Sequence, residues 1–186
     1  MNTFAKIDPE AFFRFAAEHP EQRYELERGV IVQQMTGGTR KHGVVGRRIA
    51  QQIEAQIDQS RWTLLQDRGV AVGTSARYPD IVVEPADEPG ESLSTRRPAL
   101  IVEVLSPSTS ATDMNTKPAE YLSIPTLDAY IVASQNDAAM LVWLRDKKGK
   151  FAKAGRVVEG IDQKIVVTSR DFTVTLELAE IYKGFD

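Results

Sequence analysis

The segments Tyr78–Glu84 (YPDIVVE) and Ala99–Thr109 (ALIVEVLSPST) decide how this chain folds. Both are rich in Val, Ile and Leu and lie next to Pro, Gly or Ser, which is the pattern of buried strands. Each also carries an acid among residues that belong in a core, Asp80 in the first segment and Glu103 in the second. An ionised carboxylate is costly to bury, so such strands usually provide it with a cation, a metal ion or hydrogen-bond donors.

The spacing of these acids indicates which partner to expect. Side chains two residues apart share a face of a strand, so Asp80 and Glu84 point one way, as do Ile101 and Glu103 in the second strand. If the strands are neighbours with these faces aligned, Asp80 and Glu103 converge at one rim of the sheet. Two carboxylates and water suit Mg²⁺, which prefers oxygen ligands and keeps several waters while it binds phosphate oxygens. Such a metal could polarise a phosphodiester and activate the attacking water.

The first part of the chain predicts two helices and several strands. Asp8 caps an opening helix that ends before Pro20. Residues 24–35 form a predicted hairpin with its turn at Arg28 and Gly29. Apolar residues recur every four positions in a helix from about 41 to 58. One or two strands over 62–73 precede the two apolar strands that carry Asp80 and Glu103, which we call the organising strands.

The second part of the chain predicts a parallel strand pair. A crossover from 100–105 through a short helix near 118–123 to a strand at 127–134 is long enough for a right-handed βαβ unit. We expect 85–97 to be a surface loop, 140–158 a hairpin turning at 147–149, and the end of the chain further strands with a helical turn. This order favours an α/β fold, a mixed β-sheet flanked by helices, in a single domain over 1–186.

Composition excludes several classes of protein. The chain has 23 Lys and Arg against 26 Asp and Glu, a net charge of −3, so DNA contact would need a local basic patch. Arg40, Lys41, Arg47 and Arg48 form the best candidate patch, with a solvated helix face as the alternative. The absence of cysteine excludes disulfides, thiolate metal sites and cysteine nucleophiles. No segment has transmembrane length or a signal-peptide pattern, so we expect no membrane association and a cytoplasmic protein.

An ordered set of motifs adds a family resemblance over roughly residues 24–134. Tyr24–Leu26 (YEL), YPDIVVE, VEVLSPST and the K-x-x-x-Y of Lys117 and Tyr121 resemble the bacterial family of putative restriction endonucleases within the PD-(D/E)xK nuclease superfamily. The resemblance implies a restriction-endonuclease-like fold and Mg²⁺- or Mn²⁺-dependent endonuclease cleavage of nucleic acid, for which we expect DNA. A homodimer suits this chemistry, because two sites on a C₂ axis can cut both strands of a duplex.

The same resemblance assigns roles to individual residues. Asp80 matches the aspartate of the PD motif and Glu103 the second acid, which implies that they are the metal ligands. The lysine of the superfamily motif would fall at Leu105, and Lys117 on the following helix matches the place from which this family supplies it. Its ammonium could orient the nucleophilic water or hold the scissile phosphate. Glu25, in the YEL segment, would be a further ligand or a water-orienting group.

Three further residues receive a supporting role: His42 at the head of the long helix, Asp113 and Tyr121. Each candidate also has a structural interpretation: a strand-end acid for Asp80, a solvent-facing side chain for Lys117 and Glu25, and a helix cap for His42. Two rival functions stay open. One is a catalytically inert nuclease-fold module that binds nucleic acid or another partner, and the other is a hydrolase of a different phosphoester.

Overall fold

A computed structural model describes residues 6–34, 37–105 and 116–185. Its helices are α1 (Pro9–Glu18), α2 (Arg40–Glu54), α3 (Lys117–Tyr121) and α4 (Leu178–Ile181). Its strands are β1 (Arg23–Glu27), β2 (Val30–Gln34), β3 (Trp62–Leu65), β4 (Gly69–Val72), β5 (Ser75–Arg77), β6 (Ile81–Pro85), β7 (Ser94–Thr95), β8 (Leu100–Leu105), β9 (Ala129–Ser134), β10 (Ala139–Leu144), β11 (Arg156–Glu159), β12 (Lys164–Thr168) and β13 (Thr173–Glu177). None of the helices in these ranges is long and apolar enough to cross a bilayer.

A six-stranded sheet in the order β11-β10-β9-β8-β6-β3 contains both organising strands. β8 pairs in parallel with β9, and the connection between them passes through α3, so the predicted βαβ crossover is confirmed. β6 pairs antiparallel with β8 on the other side. Both central strands are almost entirely buried because the sheet is covered on both faces, which is why they read as continuous apolar runs.

Helix α2 covers one face of this sheet. Val45, Ile49 and Ile53 form its buried stripe, and they belong to one core cluster with Val102 and Val104 of β8. The Thr39 hydroxyl caps the helix by accepting the His42 N–H at 3.1 Å. The helix was expected to continue to about residue 58, but it ends at Glu54. The apolar spacing extends beyond it because Ile57, in the turn that follows, is still part of the core.

A five-stranded sheet in the order β2-β1-β5-β4-β7 corrects the expectation of a single sheet. The chain leaves one sheet for the other between β3 and β4, where Asp67 has a positive φ of 52°. Its β1–β2 hairpin turns at Arg28 and Gly29, as predicted, with φ of 49° and 87°, which suits a two-residue hairpin turn. The expected surface loop 85–97 contains β7, which pairs in parallel with β4.

The last two strands, β12 and β13, pair with each other in a two-stranded sheet. The amides of Gln52 on α2 and of Gln56 in the turn after it bond to backbone groups of β13, which ties this hairpin to the end of the helix. The β10–β11 hairpin contains the turn expected at 147–149, closed by the Gly149 N–H on the Asp146 carbonyl at 2.9 Å. The single-domain organisation stays a prediction.

Candidate active site

The antiparallel pairing of β6 with β8 places the two predicted acids opposite each other. Ile81 pairs with Val102 and Val82 with Ile101, so the same register, continued by one residue, sets Asp80 against Glu103. The Val104 N–H donates to Asp80 Oδ2 at 2.6 Å, which fixes the Asp80 carboxylate to the end of β8. The predicted pairing of the two strands is therefore confirmed, whereas the convergence of the two carboxylates and their metal binding stay predictions.

Glu103 lies in the core with two donors on one oxygen. Its Oε1 accepts hydrogen bonds from Lys117 Nζ at 2.9 Å and from the Tyr121 hydroxyl at 3.1 Å. These bonds offset the cost of burying an ionised carboxylate. Burial, followed by the negative charge of Glu103, raises the pKa of Tyr121 well above its ordinary value, so this hydroxyl keeps its proton. Tyr121, predicted as a supporting residue, therefore contacts the second acid directly.

Lys117 occupies the first position of α3 and is buried rather than solvent-facing. Pro118 follows it in the first helical turn, where a proline costs no hydrogen bond. The ammonium lies 2.9 Å from Glu103 Oε1 and 3.8 Å from Glu25 Oε1. Helix α3, which follows β8, therefore places the Lys117 ammonium beside Glu103 and near Glu25. The position in β8 where the superfamily motif has its lysine is occupied by Leu105.

Glu25 is also buried, which overturns the interpretation of a solvent-facing hairpin acid. It projects from β1, and its Oε2 accepts a hydrogen bond from Arg77 Nη1 at 3.0 Å. Arg77, at the end of β5, is 1% exposed and also donates to Glu120 at 2.8 and 3.1 Å. Arg77 therefore links the five-stranded sheet to α3 through Glu120. Lys117 links α3 to Glu103 of the six-stranded sheet and lies near Glu25 of the five-stranded sheet.

Arg77 and Glu120 were missed by sequence reasoning. Arg77 lies three residues before Asp80, in a three-residue strand that was not predicted as a separate element. Glu120 lies one helical turn after Lys117 and reads as an ordinary exposed helix acid. A basic residue immediately before YPD, with an acid and a lysine one turn apart downstream, is the signal that could have found them. We call the five residues Glu25, Arg77, Glu103, Lys117 and Glu120 the buried charge network.

His42 lies in the first turn of α2, with its Nε2 3.3 Å from Asp80 Oδ2. The hydrogen bond to Asp80 raises the pKa of His42 above its ordinary value of 6.5, although partial burial opposes the shift. The negative charges of Asp80 and Glu103 act in the same direction as the hydrogen bond. The role that the sequence left undefined is thus a proton-bearing contact with the first predicted acid.

The remaining predicted residues separate into two groups. Asp113 lies outside the described residues. In the candidate basic patch of α2, Arg48 donates to the carbonyls of Ile181 and Lys183, both at 2.8 Å, and so caps α4. This side chain is engaged within the protein, which favours the structural interpretation for that part of the patch.

The side chains present fit a divalent cation in charge and in ligand chemistry. The three carboxylates of the buried charge network share its two permanent cations, which leaves an excess of one negative charge, and Asp80 has His42 as its ion-pair partner. In the described ranges no three His, Asp or Glu side chains come together as a complete metal site. Two protein carboxylates completed by water are a ligand set that Mg²⁺ accepts. Asp80 and Glu103 are the predicted pair, and their metal binding stays a prediction.

Three comparisons with known proteins agree with this fold. Residues 9–177 match the Uma2 family, described as "Putative restriction endonuclease". An uncharacterized protein from Synechocystis sp. (strain PCC 6803) is 28% identical over 153 residues, which cover 80% of this chain and 79% of that protein. A crystal structure described as a putative nuclease belonging to DUF820, from Anabaena variabilis ATCC 29413, has a TM-score of 0.69 at 17% identity, covering 87% of this chain and 90% of the other.

The fold is therefore a mixed α/β architecture shared with a nuclease-like structure. The chain belongs to the Uma2 family of putative restriction endonucleases, since the match spans most of its length. The family resemblance predicted from the motifs is confirmed.

Proposed function

We propose that this protein is a metal-dependent endonuclease that hydrolyses phosphodiester bonds in DNA, with Asp80 and Glu103 holding Mg²⁺ or Mn²⁺. One observation supports this proposal above the others. Asp80 is bound to the Val104 N–H at 2.6 Å, one residue after Glu103 in β8, and the Lys117 ammonium lies 2.9 Å from Glu103. Two acids and a lysine on this scaffold form the constellation expected of a phosphodiesterase, and the family match supports the same class of reaction.

Each side chain of the site has a distinct task in this proposal. A bound metal ion would polarise the phosphodiester and lower the pKa of a water molecule. Lys117 supplies positive charge where the phosphate oxygens gain negative charge. Glu25 is a second acid near the Lys117 ammonium, at 3.8 Å, and Arg77 in turn pairs with Glu25. His42 carries a proton beside Asp80 and fixes the orientation of that carboxylate.

The proposal also extends to assembly and location. A homodimer would present two equivalent sites to the two strands of a duplex. The absence of cysteine is compatible with a reducing cytoplasm, where such an enzyme would meet DNA.

A second candidate, the inert nuclease-fold module, is favoured by one specific observation. Glu103 already receives two internal donors, so the fold satisfies part of its need for a cation without a metal. A hydrolase of another phosphoester would use the same carboxylates and differ only in substrate.

The test is cleavage of supercoiled plasmid with Mg²⁺ or Mn²⁺. The parent protein is compared with Asp80→Asn and Glu103→Gln, each of which removes one proposed ligand. Glu84→Gln is the matched control, because Glu84 is as buried as Glu103 and is ion-paired with Arg68 at the other end of β6. We expect cleavage by the parent and the control and no cleavage by the two site variants. Plasmid left intact by the parent under every metal would favour the inert module, and full activity of Asp80→Asn would remove that residue from the mechanism.

A further inference from the structure

The loop between β10 and β11 concentrates positive charge in a protein that is acidic elsewhere. Residues 145–156 (RDKKGKFAKAGR), hereafter the basic loop, contain six Lys or Arg residues and one acid. Their net charge is therefore +5, whereas the other 174 residues together carry −8 within the total of −3. A polyanion approaching this surface would be attracted to the basic loop and repelled by much of the rest.

The lysines of the basic loop differ from many other surface cations of this protein in having no acidic partner. Elsewhere, pairs such as Arg14–Glu10, Arg61–Asp171 and Lys164–Glu177 hold exposed cations against acids at 2.6–3.0 Å. Within the described ranges, none of the loop lysines forms such a pair; these are Lys147, Lys148, Lys150 and Lys153. All four are exposed. Their charges are therefore available to an external anion.

The basic loop is held in place by its own acid and by its first arginine. The Asp146 carboxylate accepts the N–H groups of Lys148 and Lys150, both at 2.8 Å. Arg145 donates to three carbonyls, those of Leu127, Ile124 and Gly149, at 2.6 to 2.8 Å. Gly149 provides the positive φ of 75° that the turn requires. A preorganised loop loses little conformational freedom when it binds, so its lysines can contribute more of their interaction energy.

The position of the basic loop suits an elongated ligand that also reaches the candidate active site. Phe151 packs against the apolar cluster that contains Tyr121, the residue that donates to Glu103. The basic loop and Glu103 therefore lie on the same side of the sheet. β10 ends at Leu144, opposite Ala129 and Leu100, so the loop starts about 10 Å along the strands and two strands across from Glu103, at the end of the sheet away from Asp80. A duplex is long enough to span this separation.

We propose that the basic loop binds the sugar-phosphate backbone of duplex DNA. The inference deepens the proposed function, on which it rests for its choice of polyanion. Lysine ammonium groups match phosphates as point charges and do not select a sequence. A lipid surface fits less well, because the aromatic residue of the loop is packed beneath Arg145, 4.5 Å from its guanidinium, and does not project outward.

Binding of a labelled 20-base-pair duplex in EDTA tests this inference without cleavage. The loop variant replaces Lys147, Lys148, Lys150 and Lys153 with Gln. The matched control makes the same change in net charge by replacing Arg14, Arg61, Arg97 and Lys164 with Gln, all of which are paired with acids. A third variant with arginine at the four loop positions keeps the charge. Melting temperatures of all variants check that each is folded.

We expect the loop variant to bind the duplex at least tenfold more weakly than the parent, while the control and the arginine variant bind normally. The dependence of log K on log salt should flatten by about 2 to 4 units, since each phosphate contact contributes roughly 0.9. Equal affinity of the loop variant and the parent would overturn the inference, and so would an equal loss in the control.

Two parallel measurements separate this inference from its rivals and from the proposed function. Binding of the parent to phosphatidylserine vesicles or to polyglutamate, without binding to the duplex, would assign the loop to another partner and overturn the inference. Duplex binding that depends on the loop, in a parent that cuts nothing with Mg²⁺ or Mn²⁺, would contradict the endonuclease and leave the loop assignment intact. If the parent cleaves plasmid but the loop variant binds the duplex as tightly as the parent, the endonuclease proposal stands and the loop assignment is overturned.

Discussion

The acids near the two ends of strand β6 have different electrostatic surroundings: Glu84 is buried within the strand, and Asp80 is half-buried just before it. At one end Glu84 meets Arg68, with the Arg68 Nε 3.2 Å from its carboxylate, so one acid faces one base. At the other end Asp80 adjoins the buried charge network, in which three acids share Arg77 and Lys117. The first arrangement is a balanced ion pair, and the second keeps an excess of negative charge.

This difference separates a structural ion pair from a candidate site. A balanced buried pair can be replaced by apolar residues with little loss of stability, because the attraction between the two charges only roughly offsets the cost of desolvating them. An unbalanced cluster lacks that compensation and is stabilised by any cation that enters. Burial of a carboxylate alone therefore does not separate the two ends of the strand, whereas the ratio of acids to cations does.

The largest effect should come from removing the lysine of the site. Lys117→Met keeps the length of the side chain and deletes the charge beside Glu103, so DNA cleavage should fall about 10²–10³-fold. Arg68→Met is the matched change at the balanced end of the strand, and it should leave the cleavage rate unaltered. Plasmid nicking at saturating Mn²⁺ measures both. Lys117→Met cutting as fast as the parent would exclude the lysine from catalysis.

Arg77 should matter most for stability. Arg77→Met leaves Glu25 and Glu120 buried without their shared cation, so the free energy of unfolding should fall by about 3–5 kcal/mol. Arg61→Met breaks an exposed pair and should cost less than about 1 kcal/mol. Urea denaturation followed by fluorescence compares the two. A similar small loss in both variants would mean that the network contributes no more than a surface pair.

The smallest effect concerns His42, measured in EDTA so that no metal competes for Asp80. The pKa of His42 is raised in the folded protein, so its pair with Asp80 stabilises the fold fully below about pH 6.5. That contribution is lost as the pH rises through the folded-state pKa. The difference in unfolding free energy between the parent and His42→Gln should therefore be larger near pH 6 than near pH 9.

An NMR titration gives the direct control for His42. Its pKa should lie above 6.5 in the parent and should move down in Asp80→Asn, because the hydrogen bond to Asp80 is the largest cause of the shift. An unshifted titration in both proteins would show that the two side chains do not interact.

Much of this arrangement was predictable from the sequence because it depends on local patterns. Apolar runs predicted the two strands that carry Asp80 and Glu103 as sheet neighbours, and the length of the crossover predicted the parallel pair β8–β9. The family motif identified Lys117 as the lysine of the site, because the residue at position 105 is Leu105. Each of these inferences used residues close together in the chain, where periodicity carries structural information.

The parts that were missed depend on contacts between distant segments. Arg77 meets Glu25 and Glu120 across separations of 52 and 43 residues, and periodicity does not encode such pairs. The division into separate sheets depends on the reversal near Asp67, which has no strong turn signal. Arg48 looked like a free surface cation because the carbonyls that it caps lie 133 and 135 residues away. Long-range hydrogen bonds of this kind become visible only in the folded chain.

Calorimetry with Mn²⁺ tests the proposed metal site without the need for a substrate. We expect the parent to bind Mn²⁺ at one site per chain, Asp80→Asn and Glu103→Gln each to weaken binding by about tenfold or more, and Glu84→Gln to leave binding unchanged. No Mn²⁺ binding by the parent, or an equal loss in Glu84→Gln, would rule out a metal site at Asp80 and Glu103.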